Sequence, residues 1–203
     1  MKALYVTDRQ AAGEAQFAAV LDAVRQTPEL SVQLREHGIA DREHLDLARA
    51  CRAALGVSTP LYVNRRYDIA LAAGADGVHL PDGGLPVARV RAHAPRGFRV
   101  GVSTHRAEDA ARAIADGADL VVLGPIFATP SKSAYGSPLG PAALAGLPPR
   151  STHSTDVYAI GGISEDNLED LALHRDRIAG VAAVRMFQEA GDPRAVALRI
   201  ARL

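Results

Sequence analysis

The sequence predicts an α/β fold, a single (β/α)8 TIM barrel whose one domain covers residues 1–203. Three observations support this prediction: eight short runs rich in Val, Leu and Ile, Ala-rich amphipathic stretches between them, and a length of 203 residues, near the lower limit for a closed barrel. Runs with few polar interruptions are typical of parallel strands buried on both faces. Regular alternation of strand and helix favours closure into a barrel.

Each strand candidate is followed by a helix candidate. The predicted strands are Ala3–Thr7, Leu30–Arg35, Pro60–Asn64, Gly77–Leu80, Phe98–Ser103, Leu120–Gly124, Val157–Gly161 and Gly180–Val184. The predicted helices are Gly13–Arg25, Asp41–Leu55, Asp68–Ala73, Pro86–Ala92, Arg106–Asp116, Pro141–Ala145, Ser164–Leu173 and Asp192–Ala201. The rival fold, an open doubly wound sheet, usually carries GxGxxG after its first strand, and this chain has Thr7-Asp8-Arg9-Gln10 there.

The composition argues against several classes of partner. Lys and Arg together number 23, as do Asp and Glu, so the zero net charge predicts no binding to nucleic acid or to an anionic membrane. The first apolar run is too short for a signal-peptide core, and none approaches the roughly 20 residues of a membrane span. A single cysteine, Cys51, cannot form an internal disulfide, which favours a reducing, cytoplasmic location.

Polar side chains at the carboxyl ends of the strands are the functional candidates, because active sites of such barrels lie at that face. Since strand ends also meet water, about half of these positions are expected to be solvated surface residues. The candidates are Asp8, Gln33, Arg35, His37, Asn64, Arg65, His79, Asp82, Ser103, His105, Thr129, Ser131, Lys132, Gly161, Gly162 and Ser164.

The clearest local motif is Gly161-Gly162, at the end of the seventh predicted strand. Glycine lets a backbone approach a ligand closely, and Ser164 suits the N-cap of a following helix, whose free N–H groups attract anions. Loops after strands seven and eight form the recurrent phosphate site of this fold. We therefore expect phosphate binding here, and the alternative is a tight turn without a ligand.

The irregular stretch Ala128–Pro149 follows strand six and is expected to be an active-site loop. It contains Thr129, Ser131 and Lys132, whose hydroxyl and ammonium groups suit phosphate or diphosphate oxygens. A solvated surface lysine is the alternative interpretation of Lys132.

Histidines supply the candidate acid–base groups near neutral pH. Three of the seven, His37, His79 and His105, follow or end predicted strands. His79 is alternatively a structural residue, hydrogen-bonded in the barrel mouth. The sequence contains no HExxH or paired-cysteine spacing, so no metal site is predicted.

With these motifs, the chain resembles the thiamine phosphate synthase/TenI family of (β/α)8 barrels over nearly its whole length. The matching stretches have the order and spacing of the family, which makes the resemblance strong. They are Leu4–Asp8, Val32–Glu36, Val63-Asn64 with Asp68–Leu71, Ala75–Leu80, Gly101–His105, Gly124–Lys132 and Ala159–Ile163.

The synthase of this family joins a thiazole phosphate to a pyrimidine methyl diphosphate and releases diphosphate, with Mg²⁺ present. The resemblance implies a set of contacts to the pyrimidine and diphosphate, namely Gln33, Arg35, Asn64 and Lys132. The implied thiazole contacts are Thr129 and Ser131, with Gly161 and Gly162 holding the thiazole phosphate through backbone N–H groups. Ser103, at the end of strand five, completes the predicted substrate-binding set.

The chain departs from the synthase pattern at both Mg²⁺ ligands. The synthase has Asn-Asp after strand three, where this chain has Asn64-Arg65, and a second carboxylate where this chain has Gly84. His37 also replaces a lysine. Because Mg²⁺ requires oxygen ligands in near-octahedral geometry, these losses are expected to disable a Mg²⁺–diphosphate site, and Asp82 is a poor substitute.

The segment after strand four is more similar to the TenI branch, some of whose members are thiazole tautomerases that shift a proton without metal or diphosphate. Their catalytic histidine follows strand six, where this chain has Pro125. The base is then expected to be His79, His105 or His37, in that order. Arg185 replaces a phosphate-contacting serine and is predicted to strengthen phosphate or carboxylate binding, the alternative being a surface position.

Three functions are open at this point. The first is a TenI-like enzyme of thiamine metabolism that binds thiazole phosphate, transfers a proton and needs no cofactor. The second is a thiamine phosphate synthase with rearranged Mg²⁺ binding, and the third is a non-catalytic binder of thiazole or thiamine phosphate. In each, the partner is a small phosphorylated heterocycle, and a homo-oligomer is expected because such assemblies are common.

Overall fold

Eight parallel strands form a closed barrel in the computed structural model, which describes residues 1–129 and 137–203. The strands pair in chain order, and β8 pairs with β1 to complete the ring. They are β1 (Lys2–Val6), β2 (Leu30–Leu34), β3 (Leu61–Asn64), β4 (Gly77–Leu80), β5 (Arg99–Thr104), β6 (Leu120–Leu123), β7 (Asp156–Ile160) and β8 (Gly180–Ala183). The predicted (β/α)8 class is confirmed, and each predicted strand boundary lies within one residue of the observed one.

Helices connect the strands and pack on the outer face of the barrel. They are α1 (Arg9–Ala12), α2 (Glu14–Arg25), α3 (Asp41–Leu55), α4 (Tyr67–Ala72), α5 (Val87–Arg91), α6 (Ala107–Ala115), α7 (Leu168–Ala172), α8 (Arg185–Gln188) and α9 (Pro193–Arg202). Two 3-10 helices, Pro141–Gly146 and Arg150–Thr152, lie between β6 and β7. Within residues 1–129 and 137–203, no helix has the length and apolar character needed to cross a membrane.

The helices differ from the predicted set at a few places. The predicted α-helix over Pro141–Ala145 is a 3-10 helix of six residues, preceded by Gly140 with a φ of 75°. Short segments of this kind often take the 3-10 form as connectors. The helix predicted from Ser164 begins at Leu168. Neither α1 nor α8 was predicted, because four residues are too few to show helical periodicity in a sequence.

Alternate residues along the strands build two separate layers of core. On β1, Ala3 and Tyr5 pack outward against the helices, whereas Leu4 and Val6 point into the barrel. The interior layer also contains Tyr62, Leu120, Val122, Tyr158 and Ala182, all nearly or fully buried. The barrel is therefore a packed core rather than a pore, and the space for a ligand lies above this layer.

Replacing Gly180 with alanine tests the closure of the barrel between β8 and β1. The added Cβ would collide with the Lys2 carbonyl oxygen, a backbone atom that cannot rotate away. We expect the free energy of unfolding to fall by about 1–3 kcal/mol, as in an overpacked core, measured by urea denaturation.

Gly191→Ala is the matched control for this substitution. No heavy atom lies within 4 Å of its added Cβ, so a change of less than about 1 kcal/mol is expected. Equal losses in the two variants would contradict the close approach of Gly180 to β1.

Candidate active site

A cavity of about 850 Å³ opens at the carboxyl ends of the strands. Its floor is formed by the last residues of the strands, among them Val6, Val122 and Ile160, and its walls by the loops that follow. This volume is in the usual range for small-molecule sites, and this face of the barrel is where such sites lie.

Most of the predicted site residues border this cavity. They are Asp8, Gln33, Arg35, Asn64, His79, Ser103, His105, Thr129, Gly161, Gly162, Ser164 and Arg185. His37 is exposed beside the mouth and does not border it, and neither do Arg65 and Asp82. Ser131 and Lys132 lie outside the described residues.

The Gly161-Gly162 turn faces the cavity and is packed tightly against the loop after β6. Both glycines have a positive φ, 98° and 64°, and an added Cβ at Gly161 would lie 2.6 Å from the Cβ of Pro125. Phe127 N–H donates to the Gly161 carbonyl at 2.9 Å. Glycine is therefore required at this turn by backbone conformation and by the close approach of a second loop.

The same turn offers backbone donors to the cavity. Within residues 1–129 and 137–203, the N–H groups of Gly162 and Ile163 donate to no other protein atom. A phosphate oxygen is the type of acceptor that suits such amides.

No helix begins at Ser164, directly after the Gly161-Gly162 turn, although the sequence predicted one there. Ser164 N–H donates to Asn167 Oδ1 at 3.0 Å, and Asn167 Nδ2 donates to the Gly162 carbonyl at 2.9 Å. These bonds close an irregular turn, so α7 starts four residues later. The short helix at the cavity is α8, which begins directly after β8 at Arg185.

Arg185 is exposed and reaches across from β8 to the loop after β6. Its Nη2 donates to Thr129 Oγ1 at 3.4 Å, a long hydrogen bond. Together with Gly161 and Gly162 these residues form one cationic, donor-rich side of the mouth, called here the β7–β8 end. Both Arg185 and Thr129 were predicted from the sequence, but their contact was not.

His79 is buried and neutral. It is 1% exposed, its Nε2 lies 2.9 Å from Ser103 Oγ, and its Nδ1 has no hydrogen-bond partner among the residues described. Loss of hydration on burial, together with the smaller effect of the Arg35 charge, lowers the pKa of His79 to about 3. A base this weak suits hydrogen bonding to Ser103 better than proton abstraction at neutral pH.

The other two candidate histidines differ in placement. His105 borders the cavity with Nδ1 2.6 Å from the Gly124 carbonyl oxygen. Because that oxygen only accepts, Nδ1 carries the proton. Burial, Arg35 and Arg65 lower the pKa of His37, in that order of effect. The acid–base roles of all three histidines stay predictions.

Two contacts that fix the mouth were missed at the sequence level. Glu36 accepts from Thr7 Oγ1 at 2.6 Å and from Arg9 N–H at 3.1 Å, and Arg35 N–H donates to Thr7 Oγ1 at 2.9 Å. Gln188 in α8 donates to the Tyr5 hydroxyl at 2.9 Å. Each of these contacts joins segments that are distant in the sequence, so residue spacing does not predict it. For Glu36 and Thr7, the one available signal was that both follow strands that are neighbours in the barrel.

The residues present do not fit the Mg²⁺ site that the resemblance implies. Arg65 and Gly84 carry no carboxylate, and Asp82 is exposed away from the cavity. The carboxylates that border the cavity are those of Asp8, which caps α1, Glu165, which pairs with Arg199, and Glu189, at the end of α8. Across the described part of the chain, no group of three or more His, Cys, Asp or Glu side chains is placed to hold a metal ion.

Comparison with known proteins identifies the family. The model of the thiamine monophosphate synthase family matches residues 3–187. The chain belongs to this family. Similar proteins include the putative thiamine-phosphate synthase of Geobacter sulfurreducens, 43% identical over 93% of this chain and 87% of that one. The thiamine-phosphate synthase of Methanoculleus marisnigri is 43% identical over 75% of this chain and 72% of that one.

A solved structure supports the same assignment. The thiamine phosphate pyrophosphorylase from Pyrococcus furiosus aligns with a TM-score of 0.82 and 25% identity, covering 99% of this chain and 94% of that one. As a member of the thiamine monophosphate synthase family the chain is an enzyme, as was favoured from the sequence.

The interpretation as a TenI-like enzyme of proton transfer is wrong. It is overturned by the names of these relatives, which are thiamine-phosphate synthases at 36–43% identity. The leaning towards the TenI branch is accordingly not confirmed. The loss of both Mg²⁺ carboxylates concerns two positions, whereas the similarity to thiamine-phosphate synthases extends over most of the chain.

Gly162→Ala is expected to weaken binding of thiazole phosphate at least about tenfold. The added Cβ would collide with the Ala128 carbonyl and lie 2.8 Å from the Phe127 Cβ, which displaces the turn from the cavity. Isothermal titration calorimetry measures the change. Gly74→Ala is the control, because its φ of 66° imposes the same backbone strain in open space away from the cavity, and comparable losses in both variants argue against the turn as the phosphate site.

Acid is expected to destabilise the fold partly through His79. Its folded pKa of about 3 lies below the unfolded 6.5, so the stabilisation is complete above about pH 6.5 and is lost as the pH falls towards 3. His79→Gln should reduce the pH dependence of unfolding between pH 6 and 4 by up to about 1.4 kcal/mol per pH unit. Urea denaturation at several pH values measures the slope, and exposed His93→Gln should leave it unchanged.

Proposed function

We propose that this chain is a thiamine-phosphate synthase, which joins thiazole phosphate to pyrimidine methyl diphosphate and releases diphosphate. The observation that carries the proposal is one cavity with anion-binding groups on two sides of its mouth. A synthase must hold two phosphorylated substrates at once, whereas an enzyme acting on thiazole phosphate alone needs a single anion site. The names of the similar proteins support the same function.

The two sides of the mouth suit the two substrates. The β7–β8 end, with its free amides and Arg185, is proposed to hold the phosphate of the thiazole. Gln33, Arg35 and Asn64 border the cavity at the ends of β2 and β3 and are proposed to face the pyrimidine and its diphosphate. Ser131 and Lys132, from the loop after β6, are proposed to contact the same substrates.

Positioning is the main task of such a site. The lone pair of the thiazole nitrogen forms a bond to the methylene carbon of the pyrimidine, and the C–O bond electrons leave with the diphosphate. The thiazole nitrogen gains a positive charge, and the diphosphate gains a negative one. Because this nitrogen bears no proton, the bond forms without a general base, which agrees with the neutral, weakly basic His79.

The single cysteine is a buried, unreactive thiol. Cys51 is 1% exposed, and burial raises the pKa of its thiol to about 12, so it behaves as a small apolar residue. A cytoplasmic location and a homo-oligomer stay predictions from the sequence.

The proposed function predicts thiamine phosphate in a mixture of purified protein, thiazole phosphate and pyrimidine methyl diphosphate. Asn64→Ala is expected to raise the KM for the pyrimidine diphosphate by about tenfold, the effect of one lost hydrogen bond to a polar ligand group, and to leave the KM for thiazole phosphate nearly unchanged. Liquid chromatography with fluorescence detection measures the product.

Asp82→Ala is the matched control, because the side chain is exposed away from the cavity and its removal should leave the rate unchanged. Absence of product at saturating concentrations of both substrates, with and without added divalent cations, excludes the proposed function.

A further inference from the structure

A cluster of cationic side chains lies at one side of the mouth. Arg35 follows β2 and borders the cavity, and Arg65 follows β3, the neighbouring strand. Arg65 is flanked by cavity residues, since it follows Asn64 and its N–H donates to the His79 carbonyl at 2.8 Å. The pKa of His37 is lowered most by burial and next by the charges of Arg35 and Arg65, which places both guanidinium groups near its ring. Positive charge is therefore concentrated at the ends of β2 and β3.

Neither guanidinium is neutralised by a carboxylate. Within residues 1–129 and 137–203, Arg35 and Arg65 form no ion pair. Residues 130–136 contain no Asp or Glu, so they supply none either. Asp8 and Glu36 are the acidic groups that act on His37 together with these arginines, and they offset part of the positive charge. Asp8 accepts from the N–H of Ala11, and Glu36 from Thr7 and Arg9, so neither holds a guanidinium of the cluster in an ion pair. Both guanidinium groups can therefore pair with an anionic ligand.

The backbone of Arg65 adds an independent observation. Its φ of 64° is in the left-handed region, which apart from glycine only Glu29 shares among the described residues. Such a conformation is strained in a residue with a Cβ. Backbone hydrogen bonds hold it in place: Arg65 N–H donates to the His79 carbonyl, and Tyr67 N–H donates to the Arg65 carbonyl at 3.2 Å. Strained residues of this kind concentrate at ligand sites.

We propose that the guanidinium groups of Arg35 and Arg65 bind the diphosphate of the pyrimidine substrate, so that arginine charge replaces Mg²⁺ in this chain. This inference rests on the proposed function for the identity of the substrate. Arg65 stands where the synthase pattern has a Mg²⁺ carboxylate, and the remaining residues do not fit that metal. A guanidinium presents N–H donors in a planar fork that matches two phosphate oxygens, so it neutralises the leaving diphosphate directly.

Binding of inorganic diphosphate in the presence of EDTA tests this inference without requiring turnover. The wild-type protein is expected to bind diphosphate in isothermal titration calorimetry without divalent metal. Arg65→Gly should weaken this binding by about 10- to 100-fold, the range for a hydrogen bond to a charged group. Glycine suits the positive φ at this position, so the variant removes the side chain and relieves backbone strain.

Three further variants separate charge from structure. Arg65→Lys should retain part of the affinity, Arg35→Ala should lose it, and Arg89→Ala should bind as the wild type does. Arg89 is exposed on α5, away from the cavity, so it controls for the loss of one positive charge. Diphosphate binding that requires Mg²⁺ in the wild type, or equal affinities of Arg65→Gly and Arg89→Ala, overturns the inference.

The outcomes for binding and for synthesis are distinguishable. Metal-free diphosphate binding that depends on Arg65, with no thiamine phosphate formed, refutes the proposed function and leaves the anion site established. Thiamine phosphate formed only with Mg²⁺, at a rate unaffected by Arg65→Gly, refutes the anion site and leaves the proposed function established.

Discussion

The candidate site depends on the backbone pairing of β8 with β1. This pairing aligns Lys2 with Gly180 and Tyr5 with Ala183, and it requires a glycine at 180 because any Cβ there would meet β1. Closure brings the loops after β7 and β8 to the same opening as those after β1, β2 and β3. Residues more than a hundred positions apart in the chain, such as Arg35 and Arg185, thus border one cavity.

Charge within this opening is arranged by burial. His79, in the floor, is held neutral because a charged imidazole there would lose its hydration. Arg65 and Arg185 are exposed and Arg35 is half-buried, so these side chains are more accessible to water than His79 is. A floor that holds a neutral histidine, with cationic edges, suits the proposed substrates, each of which joins a heterocycle to an anionic phosphate.

Family membership and site chemistry carry different information about this protein. Seven matching stretches and the closed barrel agree with the thiamine monophosphate synthase family, while two positions for metal ligands do not. The loss of those two positions is compatible with membership of this family, because a metal is not the sole means of neutralising a diphosphate. In the proposal made here, Arg65 next to the site supplies that positive charge in place of the metal.

The amino-acid sequence was enough to predict the barrel, its strands to within one residue, and a set of polar residues that border the cavity. Those features follow from local rules, since hydrophobic runs form buried strands and polar residues follow the strand ends. The three-dimensional structure was needed to show that His79 is neutral, that α8 rather than α7 lies at the mouth, and that Glu36 links the ends of β1 and β2. Each of these depends on desolvation or on contacts between segments distant in the chain, which no local pattern encodes.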